Sequence, residues 1–573
     1  MGSRFKLIRA GALAAVLAST VTLGACTAGA GAAGLEAYGT GDAGNFRNVL
    51  PSGEAGTDNA LALANFRALG TRPAHWMDQL PLYAGLLYAS PTLAKDQIAR
   101  YYKDATFGVR PSDIGAYETP RPGLTIARDA GYGVPHIYGV TRGDVMFGTG
   151  WVGAEDRLFL MDILRHTGRA DLSSFIGGSA GNRAMDRTQW ALAPYTEADL
   201  QAQIDGAGKL YGVAGQNVVA DVTEYVAGIN AYIARARLDP TLLPSEYAAL
   251  GKMPQPFTVT DVIATASLIG GIFGKGGGNE LGSALALHAF EQRFGKRQGR
   301  RSWRDFRSKN DPEAPTTILK QRFPYETTGS FAKRGLALPD PGSVKLAPVA
   351  PPVVQPPGAR TGLGSIGEQL RRALASPGHA SNWLLVAPRE SASGHPIAVM
   401  GPQVGYYVPE ILMEEDLHGP GIDARGATFP GVNLYVQLGH GRDYAWSATT
   451  ATSDNVDTFA EVLCQDDFHY LWHGNCLQMD KLVRSNSWQP SLVDSTPAGS
   501  ETLTVYRTVH GLVFARGTVK GQKVAFVSAR TTYFHEADSA LGFVELNDPG
   551  AIHDARSFQR AASKINFAFN WSY

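Results

Sequence analysis

Apolar residues before about position 320 recur mainly at helical spacing, whereas those after position 381 fall into short runs of strand length. Residues 142–166 carry the clearest helical period, with Phe147, Trp151, Leu158, Phe159, Met161 and Leu164 as candidate core positions. Just upstream, 124–127 and 136–140 read as two short strands around a turn at Gly131, Tyr132 and Gly133. Residues 197–237 and 259–294 are mostly helical, and 59–113 is helical only in patches, with no role assigned to it. Downstream, 383–386 and 396–400 read as paired strands, 464–476 as a β-hairpin, and 565–573 as a strand that stops without a turn or polar tail.

Three segments break the periodic pattern. Arg4, Lys6 and Arg9 precede sixteen apolar-rich residues, 10–25, short for a membrane span and suited to a secretory signal. The signal ends Leu23, Gly24, Ala25, Cys26, which resembles a bacterial lipobox with Cys26 as the lipidated residue. Ordinary cleavage near Ala28–Ala30 is the alternative; lipidation is favoured because cysteine is otherwise rare here. Residues 27–56 are rich in Gly and Ala and read as a tether. Residues 321–377 are rich in Pro, Gly and basic residues, with no sustained apolar period. That stretch is either an interdomain linker or a spacer peptide excised in maturation. The second is favoured because it runs straight into Ser381.

Composition narrows the classes. The 573 residues can build a large core, and 52 basic residues balance 52 acidic ones, giving no electrostatic reason to expect nucleic acid as a partner. Of the three cysteines, Cys464 and Cys476 are twelve apart, and a hairpin-closing disulfide is expected in an oxidising compartment. Such a loop would stabilise by about 3 kcal/mol on the chain-entropy estimate. A metal site using His469 and His473 with the cysteines is the rival, but the spacing fits no common zinc pattern. Gly148, Gly150 and Gly153 satisfy G-x-G-x-x-G, yet no parallel strand follows convincingly, and Trp151 and Val152 are bulky for a pyrophosphate loop. There is no G-x-S-x-G elbow, and the glycines from 274 to 278 lack the Lys-Ser/Thr of a phosphate loop.

Ser381 is the candidate nucleophile. A serine exposed as a new amino terminus carries both a hydroxyl and its own α-amino group, whose pKa of about 7.7–8.0 suits a general base. On its own a serine there would be a turn or cap residue. The surroundings reverse that reading. Ser381, Asn382 and Trp383, then Gly401, Pro402 and Gln403, then Leu417, His418 and Gly419, then Ser453, Asp454, Asn455, Val456 and Asp457 resemble the β-chain start of the penicillin acylase family. Upstream, Arg128, Asp129, 133–138 and the run Ala154, Glu155, Asp156, Arg157 resemble the start of that family's α chain. The resemblance covers roughly 123–573, and several motifs in order make it specific.

The resemblance implies an α+β fold, the αββα sandwich of N-terminal nucleophile hydrolases, with a helix-rich α-chain region and Ser381 opening a central strand. It implies a zymogen that cuts itself between Ala380 and Ser381. The division is then a signal with lipobox over 1–26, tether and extension over 27–122, α-chain region over 123–320, spacer over 321–380, and β-chain region over 381–573. In the family a strand like 565–573 continues into more β chain, so the sequence is expected to be a fragment. Gln403 matches the glutamine that orients the serine, and Thr450 supplies a backbone N–H to the oxyanion. The asparagine donor of the family is expected beyond Tyr573. Asn570 is set second for that role, because its strand is similar to an earlier one. A structural calcium is implied, held by Glu280, Asp454, the Val456 carbonyl and Asp457, hard oxygen donors of the kind calcium takes. Phe273, Val404 and Ala448 line the implied acyl pocket. Val404 stands where phenylacetyl-preferring members carry Phe, and Ala448 where they carry Ser, so the acyl group is left open. The implied function is an amidohydrolase cleaving a linear acyl amide, extracytoplasmic, touching the membrane only through a lipid anchor, with α and β chains from one precursor. The alternative is a secreted lipoprotein with an acylase-like fold that binds a ligand without catalysis.

Overall fold

The computed structural model describes residues 41–50, 59–306, 337–350, 380–403 and 410–573. Cys26, Val404 and most of the expected spacer lie outside the described residues.

The fold is α+β. Strands β1 (Ile114–Glu118), β2 (Leu124–Asp129) and β3 (Pro135–Gly139) precede the long helix α1 (Arg142–Gly168). Thr141 and Asp144 fix where α1 begins: the Asp144 N–H donates to the Thr141 hydroxyl, and the Thr141 N–H donates back to the Asp144 carboxylate. The helices α2 (Glu197–Leu238) and α3 (Val259–Phe273) start on the same device, with Thr196/Asp199 and Thr258/Asp261. All but one of the candidate core positions on α1 are buried, and Phe159 packs against that core half-buried.

The helical stretch expected over 259–294 divides. Gly277 and Gly278 take φ of +79° and +74°, a left-handed backbone that no helix continues through, and α4 (Glu280–Phe306) starts afresh. Gly212, at φ +58°, likewise breaks α2 within its length.

After the spacer come β4 (Ala380–Val386), β5 (Ile397–Gln403), β6 (Met413–Gly419), β7 (Ile422–Thr428), β8 (Leu438–His440), β9 (Ala445–Thr450) and β10 (Val456–Val462). Then follow β11 (Asp480–Trp488), β12 (Gly499–Arg507), β13 (Leu512–Val519), β14 (Gln522–Arg530), helices α5 (Ala540–Leu546) and α6 (Ala555–Ala562), and β15 (Phe569–Ser572). One eight-stranded sheet runs β15-β9-β8-β7-β6-β3-β2-β1, antiparallel except where β3 lies parallel to β6. The regions before and after the spacer therefore share one sheet. A second antiparallel sheet runs β10-β14-β13-β12-β11.

Helix α1 lies against β2 and β3 and is crossed by α2. A methyl group on Gly150 would fall 1.9 Å from the Tyr225 carbonyl oxygen on α2, and one on Gly228 would fall 2.0 Å from the Phe147 carbonyl on α1. The G-x-G-x-x-G run is thus a close helix crossing inside α1, in keeping with the reading that rejected a nucleotide loop.

Two arrangements differ from expectation. Strand β4 pairs only with β5 among the described residues, so Ser381 stands in a two-stranded hairpin beside β9 and not in a central strand. The apolar side chains of that hairpin are open, with Leu384 69% and Val399 57% exposed. Residues 337–350, placed in the spacer, are built into the second sheet. Lys345 and Leu346 pair with β13, and the Asp340 carboxylate accepts the backbone N–H groups of Lys520 and Gly521 at 2.9 and 2.8 Å. No described helix is long and apolar enough to cross a membrane.

Candidate active site

Ser381 lies opposite Pro402 on the hairpin, and Ala380 lies opposite Gln403. The Met400 sulfur accepts a hydrogen bond from the Ser572 hydroxyl at 2.9 Å, which ties β5 to β15. Between this hairpin, α2, α3, β9 and β15 lies an apolar cavity of about 200 Å³. Ser381, Phe273, Ala448 and Thr450 all line it, alongside Phe429 and Trp571. Four of the residues singled out in sequence therefore meet at one cavity, although they come from three separate elements. Gln403 does not line it, though it neighbours Pro402, which does.

The strand register orients Thr450. The next residue, Ala451, donates its N–H to the Ala568 carbonyl at 2.9 Å. Antiparallel strands alternate the side to which successive N–H groups point, so the Thr450 N–H turns away from β15. Strand β8 begins only at Leu438, and the last pair of its ladder toward Thr450 is Gly439 with Trp446, so that ladder stops short of Thr450. Thr450 can thus offer an N–H that no strand ladder among the described residues uses, as an oxyanion donor requires. Asn570 is different. It alternates with Phe569 and Trp571, which line the cavity; it is exposed and donates to the Thr449 hydroxyl at 3.3 Å.

Glu536 is a wall residue that no sequence pattern marked. The Tyr195 hydroxyl lies 2.8 Å from both of its oxygens, Ser267 donates at 3.1 Å and Arg530 Nη2 at 2.8 Å. Burial raises its carboxyl above the ordinary range, while Arg530 and Tyr195 pull the other way. Glu536 follows Tyr533, Phe534 and His535 and precedes Ala537 and Asp538, a run with no spacing from which its role could be read.

The expected calcium ligands converge. Carboxylate oxygens of Glu280, at the start of α4, Asp454, on the loop leading into β10, and Asp457, at the start of β10, lie within 4.8 Å of one another. The turn at Gly277 packs against them: a methyl group there would sit 1.7 Å from Asp454 Oδ1 and 3.0 Å from the Val456 carbonyl oxygen. Burial, then the charges of Asp454 and Glu280, raise the Asp457 carboxyl above its ordinary range. Three carboxylates and a carbonyl fit a hard divalent ion such as calcium. Cys464 and Cys476 form a disulfide, with Cα atoms 6.1 Å apart, across the hairpin His469–Trp472 and Asn475–Gln478.

The motif residues near α1 serve the core. Arg128 pairs with Glu155 at 2.6 Å and Asp156 at 3.0 Å, and the buried Arg157 donates to the Glu410 carbonyl at 3.2 Å.

The family model described as penicillin amidase matches residues 124–573. Penicillin G acylase of Escherichia coli is 26% identical over 470 residues, covering 78% of this chain and 52% of that protein. Penicillin acylase 2 proenzyme of a Pseudomonas species is 24% identical over 435 residues, covering 73% and 47%. An acyl-homoserine lactone acylase of Pseudomonas fluorescens is 24% identical over 395 residues, covering 68% and 40%. The chain spans about half the length of the curated relatives it matches.

Proposed function

The chain belongs to the penicillin amidase family, and on that premise we propose that it is the precursor of an amidohydrolase that uses Ser381 as an N-terminal nucleophile. The observation that carries this reading is the meeting of Ser381, Phe273, Ala448 and Thr450 at one apolar cavity. In the uncut chain the Ser381 nitrogen is still part of a peptide. Cleavage of the Ala380–Ser381 bond frees it as an α-amino group, and that group takes the hydroxyl proton, directly or through one water. The Ser381 oxygen then bonds to the substrate carbonyl carbon, and the Thr450 N–H donates to the oxyanion that forms. The C–N bond breaks, the amine leaves with the proton, and water hydrolyses the ester left on Ser381. Gln403, on the neighbouring strand, orients the serine. The apolar wall suits an apolar acyl group.

The same reading gives the protein one structural calcium, held by Glu280, Asp454, the Val456 carbonyl and Asp457. It ties the α4 loop to the β10 loop and takes no part in the chemistry. The mature protein stands outside the cytoplasm, held by a lipid on Cys26.

Mass spectrometry of the purified protein, with Edman sequencing, tests maturation: a chain beginning at Ser381 is expected, and an intact Ala380–Ser381 bond in active protein overturns the proposal. A sulfonyl fluoride should label Ser381 and abolish hydrolysis of chromogenic acyl amides. Inactivation with the label on another residue rejects the mechanism.

A further inference from the structure

Helix Ala60–Leu69 has no buried residue. Leu61, Leu63, Phe66 and Leu69 all stand in water, Leu69 with 76% of its surface exposed. The helix is pinned at its start, where the Asn59 side chain donates to the Thr241 carbonyl at 2.6 Å. Helix Gln79–Ala89 follows. Its Leu82 is buried, whereas Leu80 and Leu87, seven apart and so on one face, are exposed together with Tyr88. Single exposed leucines need no explanation, but this many on two short consecutive helices do. Both helices lie before residue 124, outside the stretch that matches the family, so the family match gives no account of them.

The surroundings of these helices are basic. Between residues 59 and 102, Arg67, Arg72, Lys95 and Arg100 are exposed, and only Asp78 and Asp96 oppose them, on a chain whose charges balance overall. The Asp78 carboxylate lies 2.6 Å from His75 Nδ1. The Arg72 guanidinium lies over the rings of Phe66 and Trp76, 5.5 and 4.4 Å from their centroids. Aromatic and basic side chains beside exposed leucines suit a membrane–water interface. The chain also reaches this place from the expected lipid anchor. Gly41 stands fifteen positions after Cys26, at most about 50 Å of extended chain. Arg47 and Asn48 then pair with Asp104 and Lys103, which directly follow residues 59–102.

We infer that the two helices and the basic residues beside them form a docking surface for an anionic lipid bilayer. The exposed leucines, Phe66 and Tyr88 enter the headgroup boundary, and the four basic residues meet lipid phosphates. This goes beyond the acylase reading and does not depend on it. A lipid on Cys26 keeps the chain near a bilayer; the apolar side chains give a second hold and fix which side of the protein faces it. Contact removes leucine surface from water, and each basic residue adds attraction to anionic headgroups. A second copy of the chain fits this surface less well, because a two-fold contact would bring the like charges together.

Flotation with lipid vesicles tests this, using the mature chain expressed without residues 1–25 and with Cys26→Ser, so that no lipid is attached. It should float with vesicles of equal parts phosphatidylethanolamine and phosphatidylglycerol. Leu69→Glu combined with Leu87→Glu should lower the partition coefficient by about tenfold or more. Melting temperature should stay unchanged, because both side chains already stand in water. Leu492→Glu, at an exposed leucine between β11 and β12, should leave flotation as it was. No flotation, an equal loss in Leu492→Glu, or equal binding to vesicles of phosphatidylcholine alone overturns the proposal. A dimer on size exclusion that the double substitution breaks, with no flotation, makes a second copy the occupant and overturns it too. Ser381 labelling and hydrolysis play no part in these measurements, so failure here leaves the acylase reading standing.

Discussion

Gly277 is the residue on which the acidic cluster turns. It combines a left-handed backbone with a place where any Cβ would strike Asp454 Oδ1. Gly277→Ala should therefore strain the turn and displace a ligand, weakening calcium binding by about tenfold or more. Calorimetric titration of chelator-treated protein checks this, and an unchanged affinity would remove Gly277 from the site. His418 gives a pH prediction. Burial favours its neutral ring, but Asp416, 2.8 Å away, and then Asp423 outweigh burial and hold it up at about 10. Its folded value stands above the unfolded one of about 6.5, so its stabilisation is complete below that pH and is lost as pH rises through about 10. Melting temperature should accordingly fall between pH 7 and 10, and in His418→Asn that fall should be shallower. Parallel curves for the two proteins would count against the ion pair.

At the scale of elements, the stretch 337–350 changes the picture of maturation. Asp340 caps the turn between β13 and β14, Lys345 and Leu346 extend the sheet, and the Val349 carbonyl accepts from Thr504 N at 2.8 Å. Removing this segment would expose the edge of β13 and strip those partners. An excised spacer should therefore begin after Ala350, leaving an α chain that retains 337–350. Intact mass of the processed α chain decides it, and a chain ending before Pro339 contradicts the prediction. Proline and glycine content made the whole stretch look like a linker, because a single added strand of two residues leaves no periodic trace.

For the whole molecule, the shared sheet matters most. Strand β3, from before the spacer, lies parallel to β6, from after it, and His136 Nδ1 meets Asp416 at 2.6 Å across the seam. Helix α1 adds its packing over the same sheet. Cleavage before Ser381 should therefore leave α and β chains bound without any covalent link, co-eluting on size exclusion in native buffer and parting only in denaturant. Separation under native conditions would falsify this account of the seam.

The sequence by itself determined much of this. Helical and strand periods located α1, α2, α3 and the paired strands, since a buried face repeats with the period of its element. Motif order identified the family, and it named Ser381, Thr450, Phe273 and Ala448, which meet at one cavity, and the acidic residues Glu280, Asp454 and Asp457, which lie together. Tertiary structure alone decided what depends on distant contacts. It broke the 259–294 helix at two glycines needed beside Asp454, and it set Ser381 in a hairpin beside β9. It also brought Arg530 onto Glu536 at the cavity wall. Those outcomes rest on pairings between residues tens to hundreds of positions apart, and local periodicity carries no record of which distant residue a side chain will meet.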